Sequence, residues 1–125
     1  MNNVKKKIVI VDDEAETLEF VGKILKFSNY ETYATPNGQE AVGLVKKVKP
    51  DLIMLDMLIP DMKGEDIALE LAQNEVTSNI PIIFMTGLAE RAENVMATIK
   101  GRYSLLVKPI IVDDLLAAVK KALAL

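Results

Sequence analysis

Four short apolar runs constrain this chain most, because each ends in a polar or charged side chain. Ile8-Val9-Ile10-Val11 runs into Asp12 and Asp13, and Leu52-Ile53-Met54-Leu55 runs into Asp56. Ile82-Ile83-Phe84-Met85 runs into Thr86, and Leu105-Leu106-Val107 runs into Lys108, followed at once by Pro109. Continuous apolar runs this short suit strands buried on both faces, as in a parallel sheet covered by helices. An open parallel sheet binds its ligands just outside the carboxyl ends of its strands. The carboxylates, the hydroxyl and the ammonium are therefore expected to converge on one edge. Such a set suits a divalent cation and a phosphoryl group.

Helical spacing fills the intervals between the runs. Leu18, Val21 and Leu25, with Phe20 and Ile24, mark a helix from about Glu14 to Phe27. Tyr30 to Ala34 alternates polar and apolar residues, the pattern of a half-exposed edge strand. Pro36-Asn37-Gly38 reads as a turn, followed by a short helix with Ala41, Val42 and Val45 inward. Beyond Pro60 and Gly64, Glu65 and Asp66 suit the first turn of a helix whose apolar content is Ile67, Leu69 and Leu71. A further helix is expected from Ala89 to Lys100 with Gly101 as its C-cap, and a last one from Val112 to Leu123 with Leu115, Leu116, Val119 and Leu123 inward. The outcome is an α/β chain: a strand–helix unit repeated five times, with connections short enough for right-handed crossovers.

With 125 residues and no linker or low-complexity tract, one domain over residues 1–125 is expected. It either stands alone or is excised from a larger regulator. A net charge of −3 argues against direct nucleic-acid binding, which usually needs a basic face. The absence of cysteine excludes disulfides and thiolate metal sites, and the absence of histidine excludes Ser-His-Asp catalysis and imidazole ligands. No apolar stretch approaches the roughly 20 residues needed to span a bilayer. The lysines of Met1–Lys7 read as a solvated basic flank before the first strand, since the apolar run that follows is too short for a signal peptide. A cytoplasmic setting is the default expectation.

The chemistry follows from the strand ends. Asp12 and Asp13 repel each other and resist desolvation, and a cation relieves both costs. All-oxygen ligands favour a hard ion, and Mg²⁺ commonly takes only one or two carboxylates. The competing reading is that Asp12-Asp13-Glu14 simply caps the next helix. Asp56 is the candidate nucleophile, since a carboxylate can form an acyl phosphate. Lys108 offers a mobile ammonium and Thr86 a hydroxyl donor for phosphoryl oxygens, in a reaction governed by positioning and electrostatics. Gly87 lets the backbone approach a ligand closely, or is a plain loop glycine.

In this order the residues resemble the receiver domain of two-component response regulators. The features that carry the resemblance are Asp12-Asp13, then Asp56 with Pro60 and Gly64, then Thr86-Gly87 and Lys108-Pro109, covering essentially the whole chain. The resemblance implies a doubly wound, flavodoxin-like fold with a five-stranded parallel sheet in the order 2-1-3-4-5 and helices on both faces. It implies phosphorylation of Asp56 by a sensor histidine kinase or phosphotransfer protein, with no enzymatic activity beyond its own phosphorylation and dephosphorylation. It implies Mg²⁺ held by Asp13, Asp56 and the Leu58 carbonyl, with Asp12 helping through water. It further implies that Thr86 and Lys108 contact the phosphoryl group and that Lys108-Pro109 is cis. The partners implied are a phosphodonor protein, a downstream target protein and a second copy in a phosphorylation-dependent dimer, with no membrane contact.

Three positions depart from the resemblance or qualify it. Leu105 stands where the family usually carries Tyr or Phe, and Tyr103 lies two residues earlier on the same strand face. The output surface is therefore expected to respond through backbone shifts or altered dimerisation, without a ring rotation. Leu58 and Leu88 follow Asp56 and Thr86 by two residues and should flank an acyl phosphate. Apolar groups there predict slow self-dephosphorylation. Rival readings fit less well. A flavin domain would need a Ser/Thr/Gly-rich phosphate loop where Asp12-Asp13-Glu14 stands. An aspartyl phosphatase would need an acid at Leu58. A pseudo-receiver would normally have lost Asp56, Lys108 or one of the acidic pair, and all are present.

Overall fold

The computed structural model describes residues 4–124 of the chain, so Met1–Asn3 of the expected basic flank lie outside the described residues. Those residues form β1 (Lys7–Val11), α1 (Ala15–Phe27), β2 (Glu31–Thr35), α2 (Gly38–Val48), β3 (Leu52–Asp56), α3 (Gly64–Ala72), β4 (Ile82–Thr86), α4 (Ala89–Thr98), β5 (Tyr103–Val107) and α5 (Val112–Leu123). The strands pair in parallel in the order β2-β1-β3-β4-β5. This is the expected doubly wound, flavodoxin-like sheet.

Period-two alternation sends successive strand side chains to opposite faces. Val9, Val11, Ile53, Leu55, Ile82 and Phe84 meet α2, α3 and α4 on one face. Ile8, Ile10, Leu52, Met54, Ile83 and Met85 meet α1 and α5 on the other. All of β3 and β4 is buried, whereas β2 is half-exposed as its alternation predicts.

Three local expectations need correction. Leu69 does not join the core of α3 and remains 43% exposed. The inward set is Ile67, Ala68 and Leu71, because helical periodicity selects neighbours one and four apart, not two. The helix α4 ends at Thr98, and Gly101 is not a left-handed C-cap, since no glycine among the described residues has positive φ. Gly101 is small for another reason: a Cβ there would lie 2.6 Å from the Tyr103 ring. The apolar run of β5 is not buried on both faces, because β5 is an edge strand and Val107 is 52% exposed.

Candidate functional site

The carboxyl ends of the strands are finished by one repeated device. Asp12 Oδ1 accepts the Glu14 N–H at 2.9 Å, Asp56 Oδ1 accepts the Leu58 N–H at 3.0 Å, and Thr86 Oγ1 accepts the Leu88 N–H at 2.9 Å. Thr35 does the same at the end of β2, accepting from Asn37 N–H at 3.2 Å. Short polar side chains make such turns to the amide two residues on, replacing the ladder bonds the strand has just lost. Each turn fixes the rotamer of its strand-end side chain. The Lys108 amide donates to the Thr86 carbonyl at 2.9 Å, which pins the start of the β5–α5 connection beside β4. The Lys108–Pro109 peptide bond is cis.

Lys108 reaches back across two strands into the acids. Its Nζ lies 2.7 Å from Asp12 Oδ2, 2.7 Å from Glu14 Oε1 and 3.1 Å from Asp56 Oδ2. Asp12 is fully buried, Asp56 nearly so, and Asp13 exposed. Asp12, Asp13 and Asp56 each bring an oxygen within 4.8 Å of the others. Burial pushes the Asp12 carboxyl up to about 6, against the opposing pull of Lys108 and of the Glu14 N–H, with the Asp56 charge adding to the rise. Burial also favours the neutral form of Lys108. The carboxylates of Asp12, Glu14 and Asp56 beside it outweigh this and hold the ammonium above the ordinary lysine range.

The acids fit a hard cation. The Lys108 contact with Asp12 Oδ2 is close but lacks hydrogen-bond geometry, which leaves that buried oxygen without a hydrogen-bond partner. The ammonium offsets part of the cost of burying that oxygen, and a divalent cation beside it would offset more. One ammonium also does not balance the carboxylates of Asp12, Glu14 and Asp56 around it, with Asp13 beside Asp12 and Asp56.

The site opens to solvent through a cavity of about 280 Å³ lined by Asp13, Glu14, Asp56, Leu58, Thr86, Gly87 and Lys108. Leu58, in the cavity wall, is 50% exposed, and Leu88, two residues past Thr86, is 43% exposed. A Cβ at Gly87 would meet nothing within 4 Å, so no neighbouring atom demands a glycine there. Leu105 is half-buried and packs against the α2–α4 face with Tyr103, whose ring centroid lies 5.5 Å from that of Phe84. A second cavity of about 770 Å³ lies beside the first, between α1 and the β5–α5 connection, with Phe20, Pro109 and Ile110 in its wall. Sequence reasoning gave Glu14 a part only in the competing helix-cap reading and missed its bond to Lys108, 94 positions away.

Comparison with known proteins agrees with this geometry. The response regulator receiver domain family matches residues 8–120. The chain is 35% identical over 120 residues to the phosphate regulon transcriptional regulatory protein PhoB of Pseudomonas aeruginosa, which covers 96% of this chain and 52% of that protein. It is 28% identical over 123 residues to the DNA-binding response regulator MtrA of Mycobacterium bovis, covering 98% and 53%. The chain thus spans about half the length of these curated relatives. A solved response regulator from Chloroflexus aurantiacus superposes with a TM-score of 0.86 at 26% identity, over 98% of this chain and all of that one. The chain belongs to the response regulator receiver domains.

Proposed function

We propose that the protein is a phosphorylation-activated signalling switch that accepts a phosphoryl group on Asp56 from a sensor histidine kinase or a phosphotransfer protein. The observation that carries this reading is the placement of Lys108 Nζ 3.1 Å from Asp56 Oδ2, beside the Asp12–Asp13 pair. An oxygen of Asp56 forms the new bond to phosphorus while the donor's bond to phosphorus breaks, and the donor keeps that electron pair. Lys108 transfers its ammonium from the carboxylates to the phosphoryl oxygens, and the Thr86 hydroxyl and the amides near Leu58 and Leu88 donate hydrogen bonds to them. Asp13, Asp56 and the Leu58 carbonyl are the proposed ligands of Mg²⁺, with Asp12 helping through water. When bound, the cation neutralises charge on the transferred group. The chain acts on no other substrate, and residues 1–125 form one receiver unit. With Leu105 in place of an aromatic ring, the signal leaves through backbone shifts of β4–α4 and β5. It is read by a target protein, a second copy or an attached output region, in the cytoplasm.

Incubation with Mg²⁺ and acetyl phosphate, read by intact mass, tests the chemistry. One added phosphoryl group is expected on the wild type and none on Asp56→Asn. Equal addition to both, or none to the wild type, overturns the reading.

A further inference from the structure

The β3–α3 connection is tied to a helix far from it in sequence. The Asp61 carboxylate accepts two hydrogen bonds from the first turn of α2. Oδ1 takes the Gly38 N–H and Oδ2 the Gln39 N–H, each at 2.9 Å. The first amides of a helix have no partner inside it, and a carboxylate there also meets the positive end of the helix dipole. The helix's own N-cap residue, Asn37, makes no side-chain cap bond and donates instead to Glu40. Asp61 therefore caps α2 from another connection. The two amides hold its carboxyl below the ordinary carboxylate value.

The same connection is held at three further points. A Cβ at Gly38 would lie 2.8 Å from Met62 Cβ, so α2 and the connection touch with no room to spare. Gly64 N–H donates to the Met57 carbonyl at 3.2 Å, closing the connection on itself. Met57 and Ile59 are buried in the core of that face, which leaves Leu58 between them at the mouth of the acidic cavity. Asp61 lies three residues from Leu58 and does not line the acidic cavity.

We propose that Asp61 is a positioning residue whose two-amide grip on α2 sets the place of the Leu58 carbonyl, and thereby the affinity of the acidic pocket for Mg²⁺. The inference rests on the reading of Asp13, Asp56 and Leu58 as the cation's ligands. Mg²⁺ accepts only near-ideal octahedral geometry, so a ligand on a drifting connection is lost sooner than a carboxylate on a strand end. Groups behind the direct ligands affect metal affinity for this reason. Coupling is reciprocal: if the grip favours the cation, the cation must favour the grip.

The test is isothermal titration of the full chain with Mg²⁺ at a temperature where circular dichroism shows every variant folded. The wild type is expected to bind, and Asp61→Ala to bind about fivefold more weakly or worse. Asp61→Asn keeps one acceptor and is expected to fall between them. Gly38→Ala keeps Asp61 and gains helix propensity, yet it must push Met62 aside, so it too is expected to weaken binding. Hydrogen exchange supplies a readout that a stability defect does not imitate: Mg²⁺ should slow exchange at the Gly38 and Gln39 amides in the wild type but not in Asp61→Ala. Affinity in Asp61→Ala matching the wild type overturns the proposal and leaves the cation site standing. If Asp61→Ala does not fold, undiminished affinity in Gly38→Ala overturns it instead. A wild type that does not bind Mg²⁺ overturns both.

Discussion

The connections after β3 and after β4 begin alike and continue differently. Each opens with a strand-end side chain accepting the amide two residues on, from Leu58 in one and from Leu88 in the other. The first then buries Met57 and Ile59, grips α2 through Asp61 and closes at Gly64. The second passes through Gly87, with open space around it, and enters α4, whose only fully buried side chains are Ala92 and Val95. Its polar tie to the rest of the site face is the Arg91–Glu65 ion pair at 2.7 Å, with both side chains about a third exposed. The difference separates two jobs. On the proposed function, the connection that would hold the cation is over-determined, and the one that would report phosphorylation is left with few anchors.

The largest expected effect comes from cutting the side chain that ties β5 to the acids of β1 and β3. Lys108→Met leaves the buried Asp12 and Asp56 carboxylates without their ammonium, so unfolding free energy should fall by about 3 kcal/mol. Mg²⁺ should restore more stability to this variant than it adds to the wild type, as chemical denaturation in each condition would show. Next come the two glycines. A Cβ at Gly64 would lie 2.7 Å from Met57 Cα and 3.0 Å from the Asp56 carbonyl oxygen, both backbone atoms. Gly64→Ala should therefore cost about 2 kcal/mol. Gly87→Ala should stay within about 0.5 kcal/mol, and equal losses at both would remove the contrast.

The third prediction concerns lifetime. Leu58 and Leu88 offer no group that can orient or deprotonate water. Leu58→Asn with Leu88→Glu should shorten the half-life of the phosphorylated protein about tenfold, followed by loss of the added mass over time. The smallest effect is expected at Asp61 in acid. Its folded-state pKa lies below the ordinary 3.8, so its stabilising contribution is present above that value and is lost as pH falls through the lower one. The stability gap between wild type and Asp61→Asn should be constant above about pH 5 and close as pH drops below 4. A gap unchanged at low pH would mean that the cap carries no charge-dependent stabilisation.

The fold was legible because its strongest signal is local. An apolar run that stops at a carboxylate or a hydroxyl encodes burial and strand end together, which is why β1, β3 and β4 could be read directly. Leu69 was misread because apolar content was counted in place of helical spacing, and Gly101 because its constraint comes from a ring two residues on. The acids, the hydroxyl and the amine could be grouped because strand ends share an edge. Asp61 and Glu14 could not, since their partners are 22, 23 and 94 positions away and depend on packing that no local pattern records.

One feature of the sheet edge reaches further than the site itself. Asp12, Thr35, Asp56 and Thr86 stand at four successive corners where the backbone must change direction, and each would earn its place there in a protein with no chemistry at all. On the proposed function, the chemistry of Asp12, Asp56 and Thr86 is recruited onto joinery. Replacing such a residue by a small apolar one damages scaffold and signal in a single stroke. Only shape-matched exchanges, amide for acid or serine for threonine, can pull the two contributions apart.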